Sequence, residues 1–165
     1  MKKLSLIVSG LVCASSLFAN SSMDIGFIKA KVGDGGSNSG LSIDAKSFMH
    51  PKGFKNLSLG ISIGSNYFKL DDTKSLSDDA GYSVDLDLLV GYDYKKTTFY
   101  LGGGYSLGQF GSATFDGSNY QVGAEYNFSK NYGIGVKYKH NKLDLTGGSS
   151  NLDLDITSLY IKYHN

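Results

Sequence analysis

From Tyr82 to Tyr94 the chain alternates without interruption: Tyr82, Val84, Leu86, Leu88, Val90, Tyr92 and Tyr94 on one set of positions, Ser83, Asp85, Asp87, Leu89, Gly91 and Asp93 on the other. A period of two is what a strand produces, because successive side chains leave opposite faces. After Lys95–Thr98 the pattern resumes. Phe99, Leu101, Gly103, Tyr105 and Leu107 continue the apolar set, and Gly102, Gly104, Ser106 and Gly108 the small, polar one. The stretch predicts a hairpin with one greasy face.

Six further segments carry the same period. The first, Asp24–Val32, sets Ile28, Ala30 and Val32 against Lys29 and Lys31; the second, Leu41–Phe48, sets Leu41, Ile43 and Ala45 against Ser42, Asp44 and Lys46. In the third, Leu57, Leu59, Ile61, Ile63 and Tyr67 alternate with Ser58, Gly60, Ser62, Gly64 and Asn66. The sixth opposes Tyr120, Val122, Ala124, Tyr126 and Phe128 to Gln121, Gly123, Glu125 and Asn127, and the seventh opposes Tyr132, Ile134, Val136 and Tyr138 to Gly133, Gly135, Lys137 and Lys139. The eighth ends on Leu159, Ile161 and Tyr163. Leu154 and Ile156 stand in the opposite phase, which predicts a bulge near Thr157.

The connections alternate too. Gly33–Gly40, Asp71–Ala80, Gly108–Asn119 and Thr146–Asn151 read as long polar loops, and Met49–Lys55, Lys95–Thr98 and Ser129–Asn131 as short turns. Long loops at one end and tight turns at the other predict an all-β, eight-stranded antiparallel up-and-down barrel.

The strand ends indicate which solvent the apolar face meets. Tyr92, Tyr94, Phe99, Tyr126, Phe128, Tyr132 and Tyr163 fall near the short turns; Tyr67, Tyr82, Tyr105, Tyr120 and Tyr138 fall toward the long loops. Between them the face is aliphatic. Two aromatic belts bracketing an apolar band about 25 Å tall suit a transmembrane β-barrel, since a tyrosine ring settles at headgroup level. The other face then lines a narrow lumen. Its glycines leave room, and Asp85, Asp87, Asp93 and Glu125 are expected to pair there with Lys137, Lys139, Lys29 and Lys31, because an unpartnered buried charge is expensive. The expected result is a plugged cylinder.

Composition agrees. Twenty-two Gly, twelve Tyr and nine Phe with one Pro among 165 residues describe a β chain. Residues 1–19 read as a signal peptide: Lys2 and Lys3, an apolar run Leu4–Val12 too short to span as a helix, and a cleavage point after Ala19. Residues 20–165 then form one barrel domain. Cleavage removes the only cysteine, Cys13, and leaves fourteen Lys against fifteen acids with no Arg, so no basic footprint for nucleic acid remains.

In this layout the chain resembles the small eight-stranded outer-membrane barrels of Gram-negative bacteria, of the outer-membrane protein X and Ail type and the transmembrane half of OmpA. The resemblance runs through the mature chain and includes the ending Leu159, Ile161, Tyr163, with His164 and Asn165 beyond it. It implies an integral outer-membrane location and insertion by the barrel assembly machinery. It also implies contact with outer-membrane lipid and lipopolysaccharide, a monomeric state, and an extracellular protein partner reached through the long loops. The implied role is structural or adhesive, with no cofactor, no metal and no wall tether of the OmpA kind.

The lipid A palmitoyltransferase type of barrel carries a His, an Asp and a Ser at its outer end. Here His50 and His164 fall at the inner end, and His140 stands alone near the outer rim, so catalysis is not expected. Asp34, Asp71, Asp72, Asp78 and Asp79 lack the spacing of a calcium loop, and Gly102–Gly104 lacks the Lys-Ser/Thr of a phosphate loop. A narrow channel and a secreted lipocalin-like barrel around an apolar ligand remain as alternatives.

Overall fold

The computed structural model describes residues 21–69, 80–110, 113–146 and 151–164. The alternating segments become eight strands: β1 (Ser21–Val32), β2 (Ser37–Met49), β3 (Leu57–Lys69), β4 (Ala80–Tyr94), β5 (Thr97–Phe110), β6 (Ala113–Asn127), β7 (Tyr132–Leu145) and β8 (Asn151–His164). Each pairs antiparallel with its sequence neighbour, and β8 returns to β1 from Ser22–His164 to Val32–Leu154. Closure leaves no edge, so the backbone is satisfied even where no water reaches it. The chain is an all-β, closed, eight-stranded antiparallel barrel.

Its polarity is inside-out over most of its height. Leu88 is 71% exposed on the outer wall and Phe27 74%, while Lys139, pointing inward, is 1% exposed. An apolar wall of this breadth is stable only against hydrocarbon or a partner.

Near the outer end the polarity reverses without any change of strand phase, and this overturns two expectations. In β1, Asp24 and Gly26 point inward and the strand keeps that phase, so Ile28 and Ala30 are the inward residues and are buried; Lys29 and Lys31 point outward and are exposed. Neither lysine belongs to the lumen. In β8 the register with β7 is unbroken from Tyr132–Tyr163 to Asp144–Asn151, so no bulge occurs at Thr157. Leu154 and Ile156 face inward with Ser158 and Tyr160, whereas Leu159 and Ile161 face outward. The physical reason is common to both: above the outer tyrosines the outer face meets water and headgroups, so the apolar residues turn to the inside.

The same reversal explains two shorter loops. β5 continues to Phe110 and β6 begins at Ala113, paired with it, although Gly108–Asn119 reads as a loop. Phe110 and Phe115 are inward and buried, while Gln109, Thr114, Asp116 and Ser118 are outward and polar. β2 likewise starts at Ser37. At the inner end Lys95 and Lys96 connect β4 to β5, with Lys95 at φ 56°. β1 starts and β8 ends at that same inner end.

Candidate functional site

The lumen is filled by ionised side chains in three groups. Nearest the inner mouth, the Lys46 ammonium lies 2.6 Å from Asp24 and 2.7 Å from Glu125 Oε1. It donates to the Tyr100 and Tyr160 hydroxyls at 3.1 Å each and sits over both rings, 4.5 and 4.4 Å from their centroids. Tyr160 donates to Glu125 Oε1 at 2.9 Å; Lys162 reaches Glu125 Oε2. The rings find space because their cross-strand partners are Gly123 and Gly135.

The second group is one pair: Lys137 donates to both oxygens of Asp44 at 2.8 Å. In the third, Lys139 bridges Asp85 at 2.9 Å and Asp87 at 2.8 Å. Gln121 donates to Asp87 at 2.8 Å, Ser62 donates to the same carboxylate at 3.2 Å, and Asn66 donates to Asp85 at 2.8 Å. Such charges persist in a low-dielectric interior because each has an opposite partner, and Glu125, Asp85 and Asp87 accept added hydrogen bonds.

Above this polar column the bore closes on an apolar cluster of Ile28, Ala30, Phe68, Phe110, Phe115, Leu143, Leu154 and Ile156. The Phe110 and Phe115 rings are 4.1 Å apart and Phe68 is 5.3 Å from Phe110. Gly81 admits them: a Cβ there would sit 2.6 Å from both Phe68 and Phe110.

The sequence-predicted residues divide clearly. Asp85, Asp87, Glu125, Lys137 and Lys139 point inward and are paired. Asp93 is at the inner mouth, bound by His50 at 2.9 Å and by Thr98 at 2.5 Å rather than by a lysine, and Lys29 and Lys31 lie outside. Asp24, Asp44, Lys46, Lys162, Tyr100 and Tyr160 complete the network and were not predicted as members. The available signal was their phase: all but Asp24 stand on the polar alternation of their strands, whereas Asp24 shares its phase with Ile28 and Ala30. Tyr92, Tyr94, Phe99, Tyr126, Phe128, Tyr132 and Tyr163, and Tyr67, Tyr82, Tyr105, Tyr120 and Tyr138, are all exposed. Tyr92 pairs across strands with Phe99, Tyr132 with Tyr163 and Tyr67 with Tyr82.

Outward and above the upper tyrosines, His140 Nδ1 is 2.7 Å from Asp155, which also accepts from Tyr138 at 2.7 Å. Hydrogen bonds from His140 and then Tyr138 hold the Asp155 carboxyl below the usual carboxylate range. Among the described residues, Asp155 is thus bonded by both His140 and Tyr138. Asp34 is exposed in the β1–β2 turn, and Asp71, Asp72, Asp78 and Asp79 fall outside the described residues.

An outward apolar wall, a charge-paired bore and a closed eight-strand meander together define a β-barrel of the outer-membrane type. Solved structures of that fold include Ail, the attachment invasion locus protein of Yersinia pestis, which is similar at a TM-score of 0.64 and 17% identity over 90% of this chain and 99% of Ail; Ail has also been crystallised with the heparin analogue sucrose octasulfate. Neisserial surface protein A is similar at a TM-score of 0.63 and 18% identity, covering 88% of this chain and 96% of that one. The outer membrane enzyme PagL shares the fold at a TM-score of 0.56 and 13% identity over 84% and 97%. No family model matches the sequence, and no curated protein matches it.

Proposed function

We propose that the protein is an integral outer-membrane barrel with a structural or surface-interaction role and no catalysis, exported by a signal peptide at residues 1–19. The observation that carries this reading is the outer wall: aliphatic between two tyrosine-rich rings, polar again above the upper one. A lipocalin-like role fits poorly with a bore that holds Asp85, Asp87 and Lys139 rather than an apolar cavity. Open conduction fits poorly with a column of ion pairs under a cluster of phenylalanines.

Fractionation with heat treatment tests the placement. The folded barrel should be extracted from outer membranes only by detergent and should migrate faster on a gel unheated than boiled; recovery from the periplasm without detergent rejects it. In planar bilayers no steady open state is expected.

The interaction surface is then the outer rim and its loops. A polysulfated ligand of the kind seen on Ail is not favoured by the rim described here, because Lys31 faces Asp155 and Lys142 faces Asp153 across strands. A protein partner or lipopolysaccharide suits such mixed charge better. PagL makes fold alone no argument against an enzyme; what supports the non-catalytic reading at the rim is that the His140–Asp155 pair is bonded to Tyr138.

A further inference from the structure

At its inner mouth the barrel holds a second polar feature, which shares Lys162 with the plug. A cavity of about 480 Å³ opens there, with Lys162 at its floor, His50, His164 and Lys130 around it, and Ser58, Thr98, Asp93 and Asn127 on its walls. Its hydrogen-bonding groups are unequally matched. Both oxygens of Asp93 are engaged, one by His50 and one by Thr98. Glu125 behind the floor divides its oxygens between Lys46 and Lys162.

What remains unspent is chiefly donors. The Lys162 ammonium, 3% exposed, carries three N–H groups, one of which donates to Glu125 Oε2. The Ser58 hydroxyl is buried without a hydrogen-bond partner among the described residues. Lys130 adds an exposed cation at the rim. Asn127 Oδ1 is a buried acceptor also lacking a partner among the described residues, and its amide can equally present its NH2 when turned. A buried polar group left unmatched is costly, so a cavity rich in free donors is complementary to a ligand that only accepts.

We propose that this vestibule binds a small oxyanion, a phosphate or carboxylate group, held by Lys162 at the floor, Lys130 and His164 at the rim and the Ser58 hydroxyl as a neutral donor. The site is independent of the outer rim and faces the opposite side of the barrel. His164 reports on its field: burial, with the Lys162 ammonium beside it, keeps the imidazole below its usual range, partly offset by Glu125. A bound anion offsets that penalty by its opposite charge. The His164 titration midpoint therefore rises on binding, and affinity grows as pH falls through it; His50, Asp93, Lys130, Lys162 and Glu125 are the other charged or titratable groups facing the cavity.

With three histidines in the chain, the ring protons can be followed by NMR on the folded barrel in phosphate-free alkyl-glycoside micelles, titrated with inorganic phosphate against chloride of equal ionic strength. The expected result is a saturable shift at His164 with its midpoint raised by about one pH unit, while His140 at the outer end stays still. Lys130→Ala, a change at an exposed position, should weaken binding roughly threefold. Equal movement at His140, a shift that does not saturate, or unchanged affinity in Lys130→Ala overturns the proposal. If free phosphate is silent but nanodiscs of phosphatidylglycerol shift His164, the bound group is a lipid headgroup; silence in both arms rejects the site.

Discussion

Tyr160 lies across Gly135, its partner on the neighbouring strand, so closely that a Cβ on the glycine would come within 2.6 Å of the ring's Cε2. The glycine is therefore what allows the phenol to lie flat over the bore and hold Lys46 and Glu125 together. Gly135→Ala should displace the ring and destabilise the barrel by about 1 to 3 kcal/mol. The measurement is urea unfolding in detergent, followed by the mobility difference between folded and unfolded forms. Gly103, which faces outward, serves as the control: its substitution by Ala should leave the Tyr160 contacts intact.

Lys139 neutralises two carboxylates at once, Asp85 and Asp87. Lys139→Met leaves both buried without a cation and should cost about 3 to 5 kcal/mol. Adding Asp87→Asn to that variant should restore part of the loss, a coupling that a double-mutant cycle reads directly. Independent, additive effects would mean that the network is not a unit.

Leu88 is among the most exposed apolar residues on the wall. Leu88→Lys should cost roughly 2 to 4 kcal/mol if it lies near the bilayer midplane. Lys31→Leu, above the upper tyrosines, should change stability far less. Comparable effects at the two positions would reject the assignment of where hydrocarbon ends.

Lys95 occupies the left-handed region at φ 56° in the connection between β4 and β5. Lys95→Gly relieves that conformation and should stabilise the barrel by about 1 kcal/mol, seen as a higher urea midpoint. Loss of stability would imply that the ammonium over the Tyr94 ring, 5.3 Å from its centroid, outweighs the backbone term.

Strand number, closure and the facing of β4 and β5 were legible because one alternation served one pair of solvents for most of each strand. The errors share one cause. Ile28, Ala30, Leu154 and Ile156 are apolar in the phase that is polar lower down, and a period-two pattern alone cannot separate a slipped phase from a changed solvent. The bulge expected at Thr157 and the lumen role expected of Lys29 and Lys31 both came from reading that solvent change as a change of facing. Tyr100 and Tyr160 were missed for the opposite reason: an aromatic in a membrane barrel is expected in a belt, yet these two stand on the polar phase, opposite glycines. Residues 70–79 and 147–150 show no such periodicity in the sequence.

The reversal in β1 and β8 also fixes how deep the molecule sits. Were the barrel to sink by one residue pair, Lys29 and Asp155 would enter hydrocarbon; were it to rise, Leu159 and Phe27 would meet water. Each displacement is penalised from the opposite side, since charges in lipid and apolar groups in water are both unfavourable. The barrel thus carries its own waterline. The upper parts of β1 and β8 are held at a set height above the membrane by side chains well below them.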